Sequence, residues 1–354
     1  MNIGAMKSLT ILSTACGAMF MPGFFRCLKD NGERDIRIIG VDTADIGYMN
    51  HIIDGFYKVP PITDESYLQC VLDICLKEHV DIVFPHISME LGLFASGRSL
   101  FESKNIRLAL SNPETLHIAN NKRELYENMK HNGLPTPLYV GISSVDDYDR
   151  ALNYLGFPDK DVCIKIADGS GSRGVRVVSS HFSAADIFMR QKPSSLYISS
   201  ADMRQIISAV NGREDLIAME RLWMPEYSVD LLAENGTVLY IGGRLNVESQ
   251  MSIAQISEVK MIPAAIDLCN KIVEKLSLTG NIGFDFMFDS KGLPVLTDLN
   301  PRITATIILF KEAGINFPYL RIKQLLGETL PSCTINENIK LVRKYDDIIC
   351  DIND

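Results

Sequence analysis

Two aspartates, an asparagine and an arginine lie close together near the C-terminal end of the chain, at Asp285, Asp298, Asn300 and Arg302. The segment that contains them is typical of two strands joined by a Ser-Lys-Gly turn. Two carboxylates and one amide oxygen form a hard ligand set, which suits Mg²⁺ or Mn²⁺ and suits zinc poorly. A cation with open positions here would be shared with the phosphates of a substrate. The alternative is an ordinary hairpin whose acids face solvent.

These ligands meet only if the two strands pair in one register. Side chains alternate between the faces of a strand, so Asp298 shares a face with the asparagine two residues further on. We expect Phe288 to face Leu293 across a four-residue loop, which puts Asp285 opposite Leu296. In that register Asp285 is diagonal to Asp298 at roughly 7–8 Å. A slip by one residue would separate the two carboxylates.

A glycine-rich segment lies in the middle of the chain, where residues 169–174 match the pattern G-x-G-x-x-G. Residues 175–180 alternate like a strand and do not open a helix, so the pattern does not predict a Rossmann turn. A glycine loop between two strands is typical of a flap over phosphates. Lys165 is the lone charge among residues 162–167 of the preceding strand and shares a face with Cys163 and Ala167. The alternative for Lys165 is an edge-strand lysine that prevents aggregation.

Two further residues could bind a nucleotide, although each is ordinary when taken alone. Lys122 opens a helix predicted over residues 120–133 and would otherwise be a surface lysine. Glu226 follows a strand and could accept hydrogen bonds from ribose hydroxyls, but acids in this setting are more often solvated. The sequence has no convincing Ser-His-Asp or Cys-His arrangement, so it does not predict a protein nucleophile.

The composition is that of an ordinary globular protein of two or three packed units, with 354 residues. A net charge of -9 and a pI near 5.3 argue against a nucleic-acid partner, because that function needs a basic surface. Eight scattered cysteines without a C-x-x-C pair indicate reduced thiols and a cytoplasmic location. No apolar run approaches the roughly 20 residues of a membrane span, so no membrane association is expected.

The first third of the chain alternates strand and helix patterns, which predicts a parallel sheet with crossover helices. Gly17, Gly23 and Asp42 leave open a dinucleotide site and an NAD-dependent oxidoreductase there, but the G-x-G-x-x-G spacing is absent. A second unit begins near residue 110. The predicted strands are 9–13, 36–41, 81–85, 161–167, 175–179, 216–219 and 227–233, and the predicted helices are 22–31, 65–79, 120–133, 263–276 and 319–326.

Taken in their order along the chain, the motifs of this sequence resemble those of the ATP-grasp superfamily. They are most similar to the motifs of single-unit relatives of the carbamoyl-phosphate synthase large chain. The likeness runs from about Leu9 to Gly327. It rests on the motifs Phe84-Pro-His-Ile-Ser-Met-Glu90, Asn121-Lys122, Ile164-Lys165 with Gly169 to Gly174, Met219-Glu220, Pro225-Glu-Tyr-Ser-Val-Asp230, Gly283-Phe-Asp285 and Asp298-Leu-Asn-Pro-Arg302.

The resemblance implies an α/β fold class: a Rossmann-like (pre-ATP-grasp) N-terminal parallel sheet followed by an α+β two-subdomain ATP-grasp fold. The expected domains are the Rossmann-like unit at residues 1–112, a small lid region with the glycine flap at 113–218, and a nucleotide- and metal-binding subdomain at 219–354.

The resemblance also implies a role for each matching residue. Lys122 and Lys165 would contact the phosphates, and Gly171, Ser172, Arg173 and Gly174 would form the flap over them. Glu220 and Leu222 would contact the adenine, largely through backbone atoms, and Glu226 would bind the ribose. Asp285, Asp298 and Asn300 would bind one or two Mg²⁺ or Mn²⁺ ions. Arg302 would contact the transferring phosphate, and Arg244 would contact a second substrate.

The implied activity is an ATP- and Mg²⁺-dependent ligase that joins a small carboxylate to an amine or a related nucleophile through an acyl phosphate. Relatives often form homodimers. Relatives usually have Glu where this chain has Asp298, and the shorter side chain favours one metal ion over two. The same difference leaves open a non-catalytic nucleotide-binding protein of this fold.

Overall fold

A five-stranded parallel sheet forms the first third of the chain in this computed structural model, which describes residues 6–169, 173–192, 195–250, 253–344, 347 and 349. Its elements are β1 (Leu9–Ser13), α1 (Met21–Lys29), β2 (Ile36–Asp42), a 3₁₀ helix (Gly47–His51), β3 (Gly55–Lys58), α2 (Tyr67–Lys77), β4 (Ile82–Phe84), α3 (Ser88–Ser96), α4 (Arg98–Glu102) and β5 (Arg107–Leu108). The strand order is β3-β2-β1-β4-β5. The predicted parallel α/β unit is therefore confirmed.

Both faces of this sheet are covered, which explains why its strands are apolar runs. One face packs against the aromatic side chains of α1, such as Phe24 and Phe25, together with a helix from the C-terminal part of the chain. The other face packs against α2, α3 and α4 through Val71, Phe94 and Phe101. The N-terminal and C-terminal parts of the chain thus share one core.

The turn after β1 is filled by the protein's own side chains. The Gly17 amide donates to Asp42 Oδ2 at 3.0 Å. A Cβ at Gly17 would lie 2.4 Å from Ile46 Cδ1, so no free space exists beside this backbone. The carboxylate and the glycine that suggested a dinucleotide site instead satisfy each other, and the geometry does not favour that alternative.

The second sheet forms a small domain with mixed strand directions. The segment from residue 113 contributes α5 (Pro113–Ala119), α6 (Lys122–His131), β6 (Tyr139–Ile142), α7 (Val145–Leu155), β7 (Val162–Ile166), β8 (Val175–Val178), α8 (Ala184–Arg190), β9 (Tyr197–Ile198), α9 (Ser200–Val210) and β10 (Leu216–Glu220). The strand order is β6-β10-β7-β8-β9, and all pairs are antiparallel except β8 with β9. The loop between β7 and β8 is the predicted glycine flap.

The third sheet is fully antiparallel and is the largest. Its elements are β11 (Trp223–Glu234), β12 (Thr237–Gln250), β13 (Ile253–Val259), α10 (Pro263–Lys275), β14 (Gly280–Phe288), β15 (Pro294–Asn300), α11 (Ile308–Glu312), α12 (Phe317–Leu326) and β16 (Lys340–Val342). The strand order is β15-β14-β11-β12-β13-β16. One face of this sheet packs against α6 and α10, and the other face is largely polar.

Two packing relationships bear on the domain boundaries. Helices α5 and α6 pack against the third sheet through residues such as Leu125 and Met129, although they precede the second sheet in sequence. Helix α12 packs under the first sheet through Phe317 and Leu320. Our division at residues 112 and 218 stays a prediction. In the described part of the chain, no helix combines the length and apolar character needed to cross a bilayer.

Candidate active site

A cavity of about 710 Å³ opens where the three sheets meet. Its walls come from Phe20 of the first domain, from β7 and β8 of the second, and from the polar face of the third sheet. Most of the residues predicted as ligands line it: Lys122, Lys165, Arg173, Glu220, Leu222, Glu226, Arg244, Asp285, Asp298, Asn300 and Arg302.

The polar face of the third sheet owes its order to strand pairing. Side chains with the same parity on neighbouring strands project together, and adjacent strands lie about 4.8 Å apart. Three successive cross-strand rows result, namely Ser257–Asn246–Glu226, Arg244–Ser228–Asp285–Asp298 and Gly242–Asp230–Gly283–Asn300. Residues far apart in sequence thereby become neighbours on one surface.

Asp285 and Asp298 are direct cross-strand partners, which corrects the predicted register. Phe288 pairs with Pro294 and not with Leu293, and Leu296 pairs with Phe286 and not with Asp285. The pairing shifts between Asp285 and Phe286, so residue 297 is an extra residue on β15. This β-bulge lets Leu296 face the core while Asp298 faces the cavity, which regular alternation would forbid.

Asp285 lies in a field that disfavours its charge. Burial raises its pKa above the ordinary carboxylate range, and the negative charges of Glu226 and Asp298 raise it further. The charge of Arg244 and a hydrogen bond from Ser228 Oγ, at 2.7 Å from Asp285 Oδ1, act in the opposite direction. Neighbouring carboxylates of this kind favour a bound cation, because a cation relieves their mutual repulsion.

Asn300 completes the predicted ligand set. Its Nδ2 donates to Asp285 Oδ2 at 3.0 Å, so the amide lies beside the carboxylate pair. The described residues contain no group of three or more His, Cys, Asp and Glu side chains that could hold a metal. Two carboxylates and an amide oxygen fit a hard cation that takes its remaining ligands from a nucleotide and from water.

Lys122 connects the carboxylates to the glycine flap. Its Nζ lies 3.3 Å from Asp298 Oδ1 and donates to the Gly169 carbonyl oxygen at 2.7 Å. The side chain is only 7% exposed, which is rare for a lysine. The Asn121 side chain caps the first turn of α6 by accepting from the amides of Arg123 and Glu124, so the start of this helix is well defined.

The flap itself is described only in part. Lys165 and Arg173 line the cavity, and Lys165 has no ion-pair partner among the described residues. Gly174 adopts φ +65°, a conformation that favours glycine, and turns the chain into β8. Gly171 and Ser172 lie outside the described residues. A cation without a partner on the cavity wall is suited to an anionic ligand.

The other end of the cavity has an apolar wall. Cys163, Met219, Leu222 and Met287 form a small cluster between the second and third sheets. Glu220 Oε1 accepts from the Leu138 amide at 2.9 Å, so its carboxylate serves the protein's own backbone. This arrangement suits a flat aromatic ring between apolar side chains, with polar contacts from the backbone at the strand ends.

Arg302 lies at the boundary with the first domain. Its Nε donates to Ser88 Oγ at 3.3 Å and its Nη1 to the Ile303 carbonyl oxygen at 3.0 Å. Burial lowers the pKa of Arg302, and the nearby charges of Asp285 and Asp298 oppose that effect. The guanidinium therefore lies between the carboxylates of Asp285 and Asp298 and the carboxyl end of the first sheet.

Arg244 is the second predicted arginine of the site. It is 4% exposed, and its Nη2 lies 3.7 Å from Asp230 Oδ2. Its Nε and Nη1 have no hydrogen-bond partner among the described residues. Asp230 is held from the other side by Thr304, whose Oγ1 donates to Asp230 Oδ1 at 2.6 Å. Arg244 thus lines the cavity wall and carries two buried donors that lack partners among the described residues.

Several residues at this site were not identified from the sequence. Ser228 and Asp230 lie two and four residues after Glu226 on β11, and Asn246 lies two residues after Arg244 on β12. Residues at this spacing share one face of a strand, and that was the signal in the sequence that could have identified them. Nothing in the sequence indicated Phe20, because it reaches the cavity only through the packing of the first domain on the third.

Two family descriptions match separate parts of the chain. Residues 11–109 match the PylC-like N-terminal domain, and residues 212–346 match ATP-grasp in the biosynthetic pathway with Ter operon. The carbamoyl phosphate synthase large chain of Campylobacter jejuni subsp. jejuni is 22% identical over 318 residues, which is 85% of this chain and 27% of that protein. The chain thus spans about a quarter of the length of the curated relatives it matches.

Solved structures show the same fold. The biotin carboxylase domain dimer of Hydrogenobacter thermophilus 2-oxoglutarate carboxylase, with MgADP, ADP and bicarbonate, superposes with a TM-score of 0.67 at 17% identity. The match covers 94% of this chain and 73% of that one. The L-amino acid ligase of Bacillus licheniformis superposes with a TM-score of 0.61 at 17% identity, covering 90% and 74%. The chain therefore shares the fold of these solved structures, with a segment similar to a PylC-like N-terminal domain followed by a segment similar to an ATP-grasp domain.

Proposed function

We propose that this protein is an ATP- and Mg²⁺-dependent ligase that joins a carboxylate to an amine or a related nucleophile through an acyl phosphate. One observation carries the proposal: the cross-strand pair Asp285 and Asp298 lies in one cavity with the cations Lys122, Lys165 and Arg302. Carboxylates for a cation beside positive side chains for phosphates are the groups that phosphoryl transfer needs.

In this proposal ATP spans the cavity, whose lining includes Leu222, Glu220 and Glu226. The adenine would lie against the apolar wall near Leu222 with backbone contacts at Glu220, and Glu226 would accept from the ribose hydroxyls. We expect Lys122 and Lys165 to contact the phosphates, and the role assigned to residues 171–174 is to cover them. Asp285, Asp298 and Asn300 would hold one Mg²⁺, and such an ion would supply positive charge to the phosphate oxygens.

The reaction has two steps. The substrate carboxylate attacks the γ-phosphorus, the bond from that phosphorus to the bridging oxygen breaks, and ADP and an acyl phosphate form. The nucleophile then attacks the acyl carbon, loses a proton and displaces phosphate. Arg302 donates hydrogen bonds to the transferring group, and removal of one preorganised donor of this kind costs on the order of 3 kcal/mol. The closed flap excludes water, which would hydrolyse the acyl phosphate.

The proposal places the protein in the cytoplasm with small-molecule substrates and includes a homodimer, the form crystallised for the Hydrogenobacter thermophilus domain. Sedimentation at micromolar concentration tests the dimer. The position of the cationic Arg244 on the cavity wall supports an acidic second substrate at that end of the cavity.

The test is release of ADP from Mg²⁺-ATP in the presence of paired carboxylates and amines. Asp298→Ala and Asn300→Ala should abolish turnover with little loss of stability, because these side chains contribute little to the core. Asp267→Ala is the matched control, since this exposed acid of α10 pairs only with Lys271 among the described residues. Full turnover in both site variants would refute the metal assignment.

A single turnover with one carboxylate and no amine separates the ligase from a non-catalytic nucleotide-binding protein. The ligase forms ADP and an acyl phosphate that hydroxylamine traps, whereas a binding protein returns intact ATP. Calorimetry on Lys165→Ala adds an independent measurement, because the proposal requires this variant to bind ATP more weakly.

A further inference from the structure

A chain of hydrogen bonds runs inside the third sheet between two carboxylates of the site. Ser257 Oγ donates to Asn246 Oδ1 at 2.9 Å. Asn246 Nδ2 donates to Glu226 Oε1 at 2.7 Å and to Ser228 Oγ at 3.0 Å. Ser228 Oγ donates to Asp285 Oδ1 at 2.7 Å. The chain therefore connects the side chain proposed for ribose with the side chain proposed for the metal.

The three uncharged members of this hydrogen-bond chain are shielded from solvent. Ser228, Asn246 and Ser257 are 1%, 2% and 0% exposed. Polar groups buried to this degree are costly unless they are hydrogen-bonded, so the bonds between them persist in the folded protein. A buried, satisfied network of this kind also limits each member to one orientation.

The direction of each bond follows from the two ends. Glu226 Oε1 accepts from the NH₂ side of the Asn246 amide. The second hydrogen of that NH₂ group then goes to Ser228 Oγ. The single hydroxyl hydrogen of Ser228 is therefore free to go to Asp285 Oδ1, which lies 2.7 Å away. Rotation of the Asn246 amide would place its oxygen against Glu226 and break both bonds.

We propose that Asn246 and Ser228 are positioning residues that orient Glu226 and Asp285 together, so that the nucleotide side and the metal side of the site are organised as one unit. Ser228 fixes the Asp285 carboxylate for the cation. Asn246 fixes Glu226 directly and Asp285 through Ser228. This inference rests on the proposed function, because it assigns the metal to Asp285 and the ribose to Glu226.

The variants have different expected effects. Ser228→Ala removes the donor to Asp285 and leaves the bond between Asn246 and Glu226 in place. Loss of a partner that orients a metal ligand typically weakens metal binding by 10–100-fold. We therefore expect Ser228→Ala to bind Mn²⁺ at least about tenfold more weakly and to keep metal-free ADP affinity within about twofold. Asn246→Leu removes the donors to Glu226 and to Ser228, so it should weaken both Mn²⁺ binding and metal-free ADP binding.

Two further variants separate positioning from stability. Ser228→Thr keeps the hydroxyl on a residue type that strands accept, so it should restore Mn²⁺ affinity. Ser257→Ala removes a hydroxyl that is equally buried but lies beyond Asn246. Loss of the Ser257 hydroxyl should lower the stability of the protein, while Glu226 and Ser228 still hold the Asn246 side-chain amide in place. Ser257→Ala should therefore keep Mn²⁺ affinity within about twofold of the wild type.

The experiment titrates Mn²⁺ into the full chain with saturating ADP and follows free Mn²⁺ by electron paramagnetic resonance. Metal-free ADP binding is measured in parallel by calorimetry. The inference is overturned if the wild type binds Mn²⁺ and folded Ser228→Ala binds it with the same affinity. It is also overturned if Ser257→Ala loses as much Mn²⁺ affinity as Ser228→Ala. Failure of the wild type to bind Mn²⁺ with ADP would instead overturn the proposed function itself.

Discussion

The hydroxyl of Tyr126 donates to the carbonyl oxygen of Thr297 at 2.9 Å, so a buried tyrosine of α6 supports the bulge in β15. The Thr297 side chain adds a second contact, because its Oγ1 donates to the Asp285 carbonyl oxygen at 3.0 Å. The bulge residue is thus bonded on both sides. Because the bulge sets which face Asp298 occupies, Tyr126 acts on the site without lining the cavity.

Tyr126→Phe should lower the free energy of unfolding by about 1–3 kcal/mol, because it leaves a buried carbonyl without its partner. It should also weaken Mn²⁺ binding, since the bulge then holds Asp298 less firmly. Urea denaturation and Mn²⁺ titration measure the two effects. Tyr148→Phe is the control, because it removes a hydroxyl bonded to Ser200 in the second domain and should leave Mn²⁺ affinity unchanged. Unchanged Mn²⁺ affinity in Tyr126→Phe would contradict the proposed role of the bulge.

Gly283 lies between Asp230 and Asn300 in the third cross-strand row. A Cβ at this position would lie 2.4 Å from Thr304 Cγ2. Gly283→Ala should therefore cost about 1–3 kcal/mol of stability through overpacking and should disturb the bond from Thr304 to Asp230. Gly92→Ala is the matched control, because a Cβ at Gly92 would project into open space and alanine favours the helix interior. Equal melting temperatures for the two variants would refute this prediction.

Lys122 compensates the Asp298 charge where no metal is bound. Lys122→Met should lower the melting temperature, because the carboxylate pair then lacks its cation. Mg²⁺ should raise the melting temperature more in Lys122→Met than in the wild type, since the ion replaces the missing charge. Thermal unfolding with and without Mg²⁺ measures the difference. An equal Mg²⁺ effect in both proteins would separate Lys122 from the metal site.

His86 gives a prediction about pH. Both of its ring nitrogens lack hydrogen-bond partners among the described residues, and the ring packs against Phe24 at 4.5 Å. Burial, and then the charge of Arg302, lower the pKa of His86 to about 3. The unfolded chain has a histidine pKa near 6.5, so between these values the unfolded state binds the additional proton.

Stability should therefore fall as the pH drops below about 6.5, by about 2 kcal/mol from this group between pH 7.5 and pH 5. His86→Leu removes the group, so the free energy of unfolding of that variant should fall by about 2 kcal/mol less over the same interval. Urea denaturation at several pH values measures both slopes. Parallel slopes for the two proteins would show that His86 is not the responsible group.

The sequence by itself was sufficient for the fold class and for selecting many of the side chains that line the cavity, whose roles stay predictions. The predicted strand at residues 9–13 coincides with β1, and β7 lies within the predicted range 161–167. Period-two and helical patterns carry this information because they reflect burial on one face of an element. The lone lysine in β7 and the carboxylates of β14 and β15 stood out because they interrupt such patterns.

Only the tertiary structure decided how these side chains meet. The bulge at Thr297 depends on Tyr126, a residue from a helix that precedes the second sheet. The chain from Asn246 to Asp285 exists because three antiparallel strands align in one register. Alternation predicts which face a residue occupies, but the register between strands and the packing of distant elements depend on long-range contacts. No local pattern in the sequence encodes those contacts.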